Sequence, residues 1–265
     1  MKGPLVGPKL LVSVVSAPEA RDAVAGGADI VDVKDPNEGA LGAPAVSVLS
    51  EVVRVVGGAA SISVALGDLP DLPHTAALAA RGAALTGAAY VKVGLRGVRD
   101  LDRAVAMMRA VVAAVPPQTA VVAAAYADAA ALDPPALAPA WLPVLVERTG
   151  IAGALVDTFV KDGRGLYGWM SPSELTDLVA RTRDAGGSFA VAGQLRSGEL
   201  CRVDADVVGV RSALCRGGDR TGQLEASLVA AAVAEVRASA RPATDFGAEV
   251  TYMSPSSPKS GVNRR

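Results

Sequence analysis

The run Ile30-Val31-Asp32-Val33-Lys34-Asp35 sets a carboxylate and an amine two residues apart in an otherwise apolar stretch. Gly26-Gly27 precede it and Pro36 follows, so turn residues bound it on both sides, the pattern of a short buried strand. Alternation along a strand puts Asp32 and Lys34 on one face. Burying both charges is costly, and the cost is easier to understand if the pair performs chemistry. The pattern recurs. Gly87-Ala88-Ala89-Tyr90-Val91-Lys92-Val93-Gly94 places Lys92 in a second apolar strand, and Gly153 to Lys161 ends a third with Asp157 and Lys161. Two lysines in one pocket repel, so one amine should hold its proton weakly. A neutral amine attacks an aldehyde to form a Schiff base. The other lysine can then move protons, while Asp32 and Asp157 offset charge, orient the amines or act as acid and base. Any one of these lysines alone is better read as a solvated strand end or a member of a structural ion pair. The set on three strand ends argues for a site, because a closed parallel barrel gathers strand ends at one mouth.

A second group of residues fits an anion. Gly193-Gln194-Leu195-Arg196 follows the seventh strand, and Arg211-Ser212-Ala213 with Arg216-Gly217-Gly218-Asp219-Arg220 follows the eighth. Glycine lets backbone N–H groups approach an anion, arginine adds charge-assisted bonds, and barrels bind phosphate at these last two loops. Gly193, Gln194, Arg211, Ser212, Gly217 and Gly218 are the candidate phosphate residues. His74 reads as a surface or capping residue, and Asp128 as either a mouth or a turn residue. Trp141 and Trp169 read as packing residues, and Met107-Met108 as filler on a helix.

The elements that position these residues alternate. Strands are expected at 10–15, 30–35, 61–68, 87–94, 120–126, 153–161, 189–193 and 206–211. Helices are expected from Ser16 to Gly26-Gly27, at 44–56, 75–86, 100–115 and 134–149, from Ser171 onward, and at 197–202 (short) and 224–238. Pro139 and Pro143 blur the start of the fifth helix. Ser16-Ala17-Pro18-Glu19 and Ser171-Pro172-Ser173-Glu174 carry capping patterns. Eight strand–helix units predict an α/β fold, a single-domain (β/α)8 TIM barrel over 9–239. Residues 1–8 form an arm, and 240–265 read as a flexible tail. An open doubly wound sheet is the lesser alternative, since no G-x-G-x-x-G follows the first strand.

Composition narrows the function classes. Half of the 265 residues are hydrophobic and only 3% aromatic, so the core is built of Val, Ala and Leu. A net charge of −1 lacks the basic footprint of a nucleic-acid binder. No apolar run reaches the length of a membrane span, and the N-terminus lacks a signal-peptide pattern. Cys201 and Cys215 have only His74 as a possible soft companion, which points to free thiols, a cytoplasmic setting and no metal or other cofactor. The expected partner is a small phosphorylated aldehyde; a homo-oligomer is compatible with the chain.

Ala25 to Lys34 with Gly39-Ala40-Leu41-Gly42, Tyr90 to Leu95, Ala124 to Asp128, Asp157-Thr158 with Lys161-Asp162-Gly163, and Val208 to Arg211 with Cys215 to Arg220 together resemble the (5-formylfuran-3-yl)methyl phosphate synthase family. That family is also called 4-(hydroxymethyl)-2-furancarboxaldehyde-phosphate synthase. The resemblance runs from the first strand to the closing helix. It implies a barrel lyase that condenses two glyceraldehyde 3-phosphate molecules, with loss of one phosphate and two waters, to a furan that feeds methanofuran biosynthesis. It further implies Lys34 as the Schiff-base lysine and Lys92 as the proton-transferring lysine, with Asp32, Asp157 and Lys161 at matching active-site positions. Asp35 stands where asparagine is expected in archaeal relatives. A Schiff-base aldolase of sugar phosphates shares the two-lysine logic and is the alternative enzyme. A barrel that binds a phosphorylated metabolite without catalysis is the non-enzymatic one.

Overall fold

The computed structural model describes residues 5–98, 100–133, 136–238 and 241–242. Eight parallel strands close into a barrel in sequence order, β1 (Lys9–Val14), β2 (Ile30–Val33), β3 (Ser61–Asp68), β4 (Tyr90–Gly94), β5 (Ala120–Tyr126), β6 (Gly153–Asp157), β7 (Ser188–Val191) and β8 (Val207–Val210), with β8 pairing back onto β1. Seven α-helices connect them: α1 (Ala17–Ala25), α2 (Val46–Val56), α3 (Pro73–Leu85), α4 (Leu101–Ala114), α5 (Leu142–Thr149), α6 (Pro172–Asp184) and α7 (Ala226–Ala238). This is the (β/α)8 barrel that the alternation predicts.

The helices begin where the sequence supplies caps. Ser16 Oγ accepts the Glu19 N–H ahead of α1, and Ser171 with Glu174 forms a reciprocal capping box ahead of α6. Three expectations give way. The fifth helix starts only at Leu142, after a 3₁₀ turn at Pro139–Trp141, because Pro143 fits the first turn of a helix and not its interior. No helix forms at 197–202. Gly198 takes φ +83°, and the N–H groups of Gly198 and Leu200 donate to the Glu235 carboxylate on α7 at 3.0 Å instead of entering a helical ladder. Trp141 is 46% exposed and therefore lies at the surface, not in the core.

The main core lies between strands and helices, where Leu10, Val12, Val31, Val33, Val91, Val93 and Phe189 meet Leu49, Val52, Met107, Met108, Leu175 and Val229. The inside of the barrel is different. Barrel interiors are commonly filled by bulky branched side chains. Here Ser13, Ser63, Ala190, Ala192 and Gly209 line a cavity of about 940 Å³, open mouth included. Small residues along the axis leave room for the charged ones. Outside the barrel, Leu5–Val6 pairs antiparallel with Arg241–Pro242, so part of the expected arm meets the first residues of the expected tail. The rest of that tail, 243–265, lies outside the described residues.

Candidate active site

Strand register builds the deepest part of the site. Asp32 on β2 is the direct neighbour of Ser13 on β1 and of Ser63 on β3. Lys92 of β4 reaches Asp32, with Nζ 2.7 Å from Oδ2, and Ser13 Oγ donates to the same oxygen at 3.0 Å. Asp32 is fully buried and Lys92 nearly so. Asp32 Oδ1 and Ser63 Oγ find no hydrogen-bond partner among the described residues. A buried ion pair is weak evidence for stability, so this one, on a cavity wall, points to function.

A second pair stands across the mouth. Lys161 Nζ folds back to Asp157 Oδ1 at 2.7 Å and also donates to the Thr158 carbonyl and hydroxyl. Asp157 Oδ1 accepts the Thr158 N–H as well. Burial opposes ionisation of Asp157, yet Lys161, Lys34 and the hydrogen bonds outweigh it and hold the carboxyl below its usual range. Asp128 shapes this loop: its two oxygens accept the Phe159 and Val160 N–H groups at 2.8 and 2.7 Å. It is thus a loop-ordering residue behind the mouth.

A strut that the sequence did not announce supports the same loop. Tyr126 at the end of β5 donates its hydroxyl to both oxygens of Asp68 at the end of β3, at 2.8 and 2.9 Å. The strut passes over β4 at Gly94, where any Cβ would collide with Asp68 Oδ1. The Tyr126 ring meets Phe159 edge-on, and the Arg96 guanidinium lies 4.2 Å from the centre of that Phe159 ring. Burial raises the pKa of Asp68, against the opposing hydrogen bond from Tyr126; burial and the Asp68 charge push Tyr126 well up. The phenol therefore stays a donor.

Lys34 lies between the two pairs. Its Nζ contacts the Ala40 carbonyl at 3.4 Å. The loop that supplies this carbonyl turns back at Gly42, where a Cβ would strike the Asp35 carbonyl, and Ala40 and Leu41 pack onto Tyr126, Ala65 and Leu155. Lys34 keeps some exposure to the cavity but is closely surrounded by protein. Its pKa falls from 10.5 to about 8. Desolvation is the main cause, and Lys161 and Lys92 add to it while Asp157 and Asp32 oppose it. Lys34, Lys92, Asp157 and Lys161 all line one cavity, with Asp32 directly behind Lys92.

The last two loops close the other side. Gly193, Gln194, Arg211, Ser212 and Arg220 line the cavity. Gly193 has φ +113° and leaves no room for a Cβ against Thr158, which brings this loop onto the Asp157 loop. Gln194 holds φ +50°, unusual for a side-chain-bearing residue, and accepts the Gly163 N–H. Arg211 is largely committed to the protein: it pairs with Glu19 at 2.8 Å and donates to the Ser13 and Arg220 carbonyls. Gly217 and Gly218 are exposed on the outer part of the loop and do not line the cavity.

Sequence reasoning did not single out Ser13, Ser63, Thr158 or the Asp68–Tyr126 strut. Ser13 and Ser63 share the inward parity of Asp32 once register is known, but register across strands is not visible in one strand's pattern. Among the described residues, no three His, Cys, Asp or Glu side chains gather as a metal site, and no helix is long and apolar enough to cross a membrane.

Comparison with known proteins gives the family. The family model described as 4-HFC-P synthase matches residues 10–233. A Methanothermobacter thermautotrophicus protein named (5-formylfuran-3-yl)methyl phosphate synthase is 43% identical over 226 residues, 83% of this chain and 95% of that protein. A Streptomyces griseus protein given the same name provisionally is 42% identical over 220 residues, 80% of this chain and 87% of that protein. Among solved structures, orotidine 5'-phosphate decarboxylase from Pyrococcus horikoshii aligns with a TM-score of 0.58 at 18% identity, covering 86% of this chain and 99% of its own. At that identity the likeness speaks for the fold alone. A match that runs from β1 into α7, with relatives aligned over most of the chain, makes this protein a member of the 4-HFC-P synthase family.

Proposed function

We propose that this protein condenses two molecules of glyceraldehyde 3-phosphate into (5-formylfuran-3-yl)methyl phosphate, releasing one phosphate and two waters, through a Schiff base on Lys34. The observation that carries the reading is the Lys34 amine, held near a pKa of about 8 between two lysine–aspartate pairs on one cavity. Its neutral form attacks the aldehyde of one triose phosphate, and water leaves as the imine forms. The protonated imine then draws electrons from the adjacent carbon, whose proton is removed to give an enamine. Phosphate then leaves from the first triose, and the resulting enol carbon attacks the central carbon of the second triose, whose carbonyl has moved there by proton transfer. The terminal hydroxyl of that triose closes the ring, two waters leave, and hydrolysis of the imine restores the aldehyde and frees Lys34. Lys92, paired with Asp32, is suited to proton transfer at the bound carbons. Lys161, paired with Asp157, is suited to the charge that develops nearer the mouth. A phosphate group fits the loops after β7 and β8, at Gly193, Gln194 and Ser212, with Arg211 shaping the second loop and Gly217 and Gly218 flanking it.

Incubation with glyceraldehyde 3-phosphate alone tests the reading. A furan absorbance that grows with stoichiometric phosphate release supports it. Reversible aldol cleavage without phosphate release would instead support the sugar-phosphate aldolase. Borohydride reduction during turnover, followed by mass spectrometry, should place the adduct on Lys34.

A further inference from the structure

Five cationic side chains line the cavity: Lys34, Lys92, Lys161, Arg211 and Arg220. Three of them are neutralised by a carboxylate in contact. Lys92 has Asp32, Lys161 has Asp157 and Arg211 has Glu19. Lys34 and Arg220 form no ion pair in the described structure. The cavity therefore presents two uncompensated cations, one for each charge of a phosphate monoester dianion, and one of them is the lysine whose pKa is already lowered.

Arg211 is the more obvious phosphate ligand by position, but it is poorly free to serve. Its Nε donates to the Arg220 carbonyl at 2.6 Å, Nη1 to the Ser13 carbonyl and Glu19, and Nη2 to Glu19, all in a site 7% exposed. Arg220 differs on each count. It is half-buried on the cavity wall, and its guanidinium is held by a single bond from Nη2 to the Pro36 carbonyl at 3.1 Å. The rest of its planar donor fork has no acceptor among the described residues, which suits a phosphate oxygen pair. Pro36 lies two residues beyond Lys34, so Arg220 bridges the β8 loop to the loop that seats the reactive amine. A triose phosphate keeps its carbonyl carbon and phosphorus only a few bonds apart, and this bridge puts the two complementary cations on neighbouring segments.

We infer that Arg220 binds the phosphate ester of the triose attached at Lys34, while Arg211, through Glu19 and the Arg220 carbonyl, only holds the loop in place. The inference rests on the proposed triose-phosphate reading, and its test is chosen to stand apart from the imine chemistry. Calorimetry with glycerol 3-phosphate and with glycerol, neither of which forms an imine, compares the wild type with Arg220→Ala and Arg220→Gln. The glutamine variant keeps a donor for Pro36 and guards against a folding artefact, with the melting temperature read alongside. Glycerol 3-phosphate should bind about tenfold or more weakly in both variants, and glycerol binding should not separate the three proteins. Dissociation constants for glycerol 3-phosphate within twofold of wild type, or no measurable phosphate-dependent binding in the wild type, would overturn the assignment. A parallel arm measures borohydride trapping at Lys34 with glyceraldehyde 3-phosphate against glyceraldehyde. No trapping in the wild type refutes the imine reading alone. Trapping with a phosphate preference that survives Arg220→Ala refutes the arginine assignment alone.

Discussion

Titration of the Lys34 amine is the most exposed point of the proposed mechanism. A pKa lowered from 10.5 to about 8 leaves about a tenth of the amine neutral at pH 7, against about three parts in ten thousand for an unperturbed lysine, a gain of about 300-fold in nucleophile. The same shift corresponds to about 3 kcal/mol of disfavoured charge. Its sign for stability follows. Below pH 8 the amine is charged both folded and unfolded, and the penalty is fully present. Between about 8 and 10.5 the unfolded chain binds the extra proton, so stability rises with pH and the penalty fades. The perturbation is Asp157→Asn. It deletes the anion that most raises the Lys34 pKa and leaves the Lys161 charge uncompensated, and both changes push the amine further down. The midpoint should fall by about one pH unit or more. Competitive labelling with trace acetic anhydride across pH, with the Lys34 peptide read by mass spectrometry, measures it directly. A wild-type midpoint near 10, or an upward shift in the variant, would refute the reasoning.

Three further outcomes follow from the contacts. Lys92→Met should remove turnover and destabilise the fold by about 3–5 kcal/mol, because Asp32 is left buried and unpaired. The double variant with Asp32→Asn should regain much of the melting temperature but no furan formation. Arg211→Ala should strand the Glu19 carboxylate and lower stability by a similar amount in chemical denaturation; an unchanged midpoint would remove it from the barrel's closure. Asp128→Ala should free the Phe159 and Val160 N–H groups, weaken stability by about 1–3 kcal/mol and lower kcat more than it raises KM; an effect confined to KM would argue against loop ordering at Lys161.

The fold was legible because short apolar runs bounded by turn residues alternate with segments of helical period. β3 and β5 match their expected bounds, and Ser16 and Ser171 cap the helices they precede. The missing helix at 197–202 was not legible, since the carboxylate that replaces its ladder comes from Glu235, far along the chain. The same division runs through the site. Lys34 and Asp32 announce themselves as charges inside apolar runs. Asp68 and Tyr126 do not, because each is the last residue of its own expected strand, and nothing in either strand's pattern shows that the two meet across β4. The Arg211–Glu19 pair was hidden for a similar reason. The Glu19 position fits a capping pattern, but its carboxylate takes the Val15 N–H and the arginine instead.

The small side chains along the barrel axis have a further consequence. Cohesion comes from the outer shell, where valines and leucines interlock, and also from inside the barrel, where Leu155 packs with Ala65, Ala124 and Tyr126, and Leu11, Ile30, Val122 and Val207 line part of the cavity. Enlarging Ala190 or Ala192 would therefore add little cohesion and would take room from the amines. The barrel is filled along part of its wall and kept hollow only where serine, alanine and glycine stand in for bulkier neighbours.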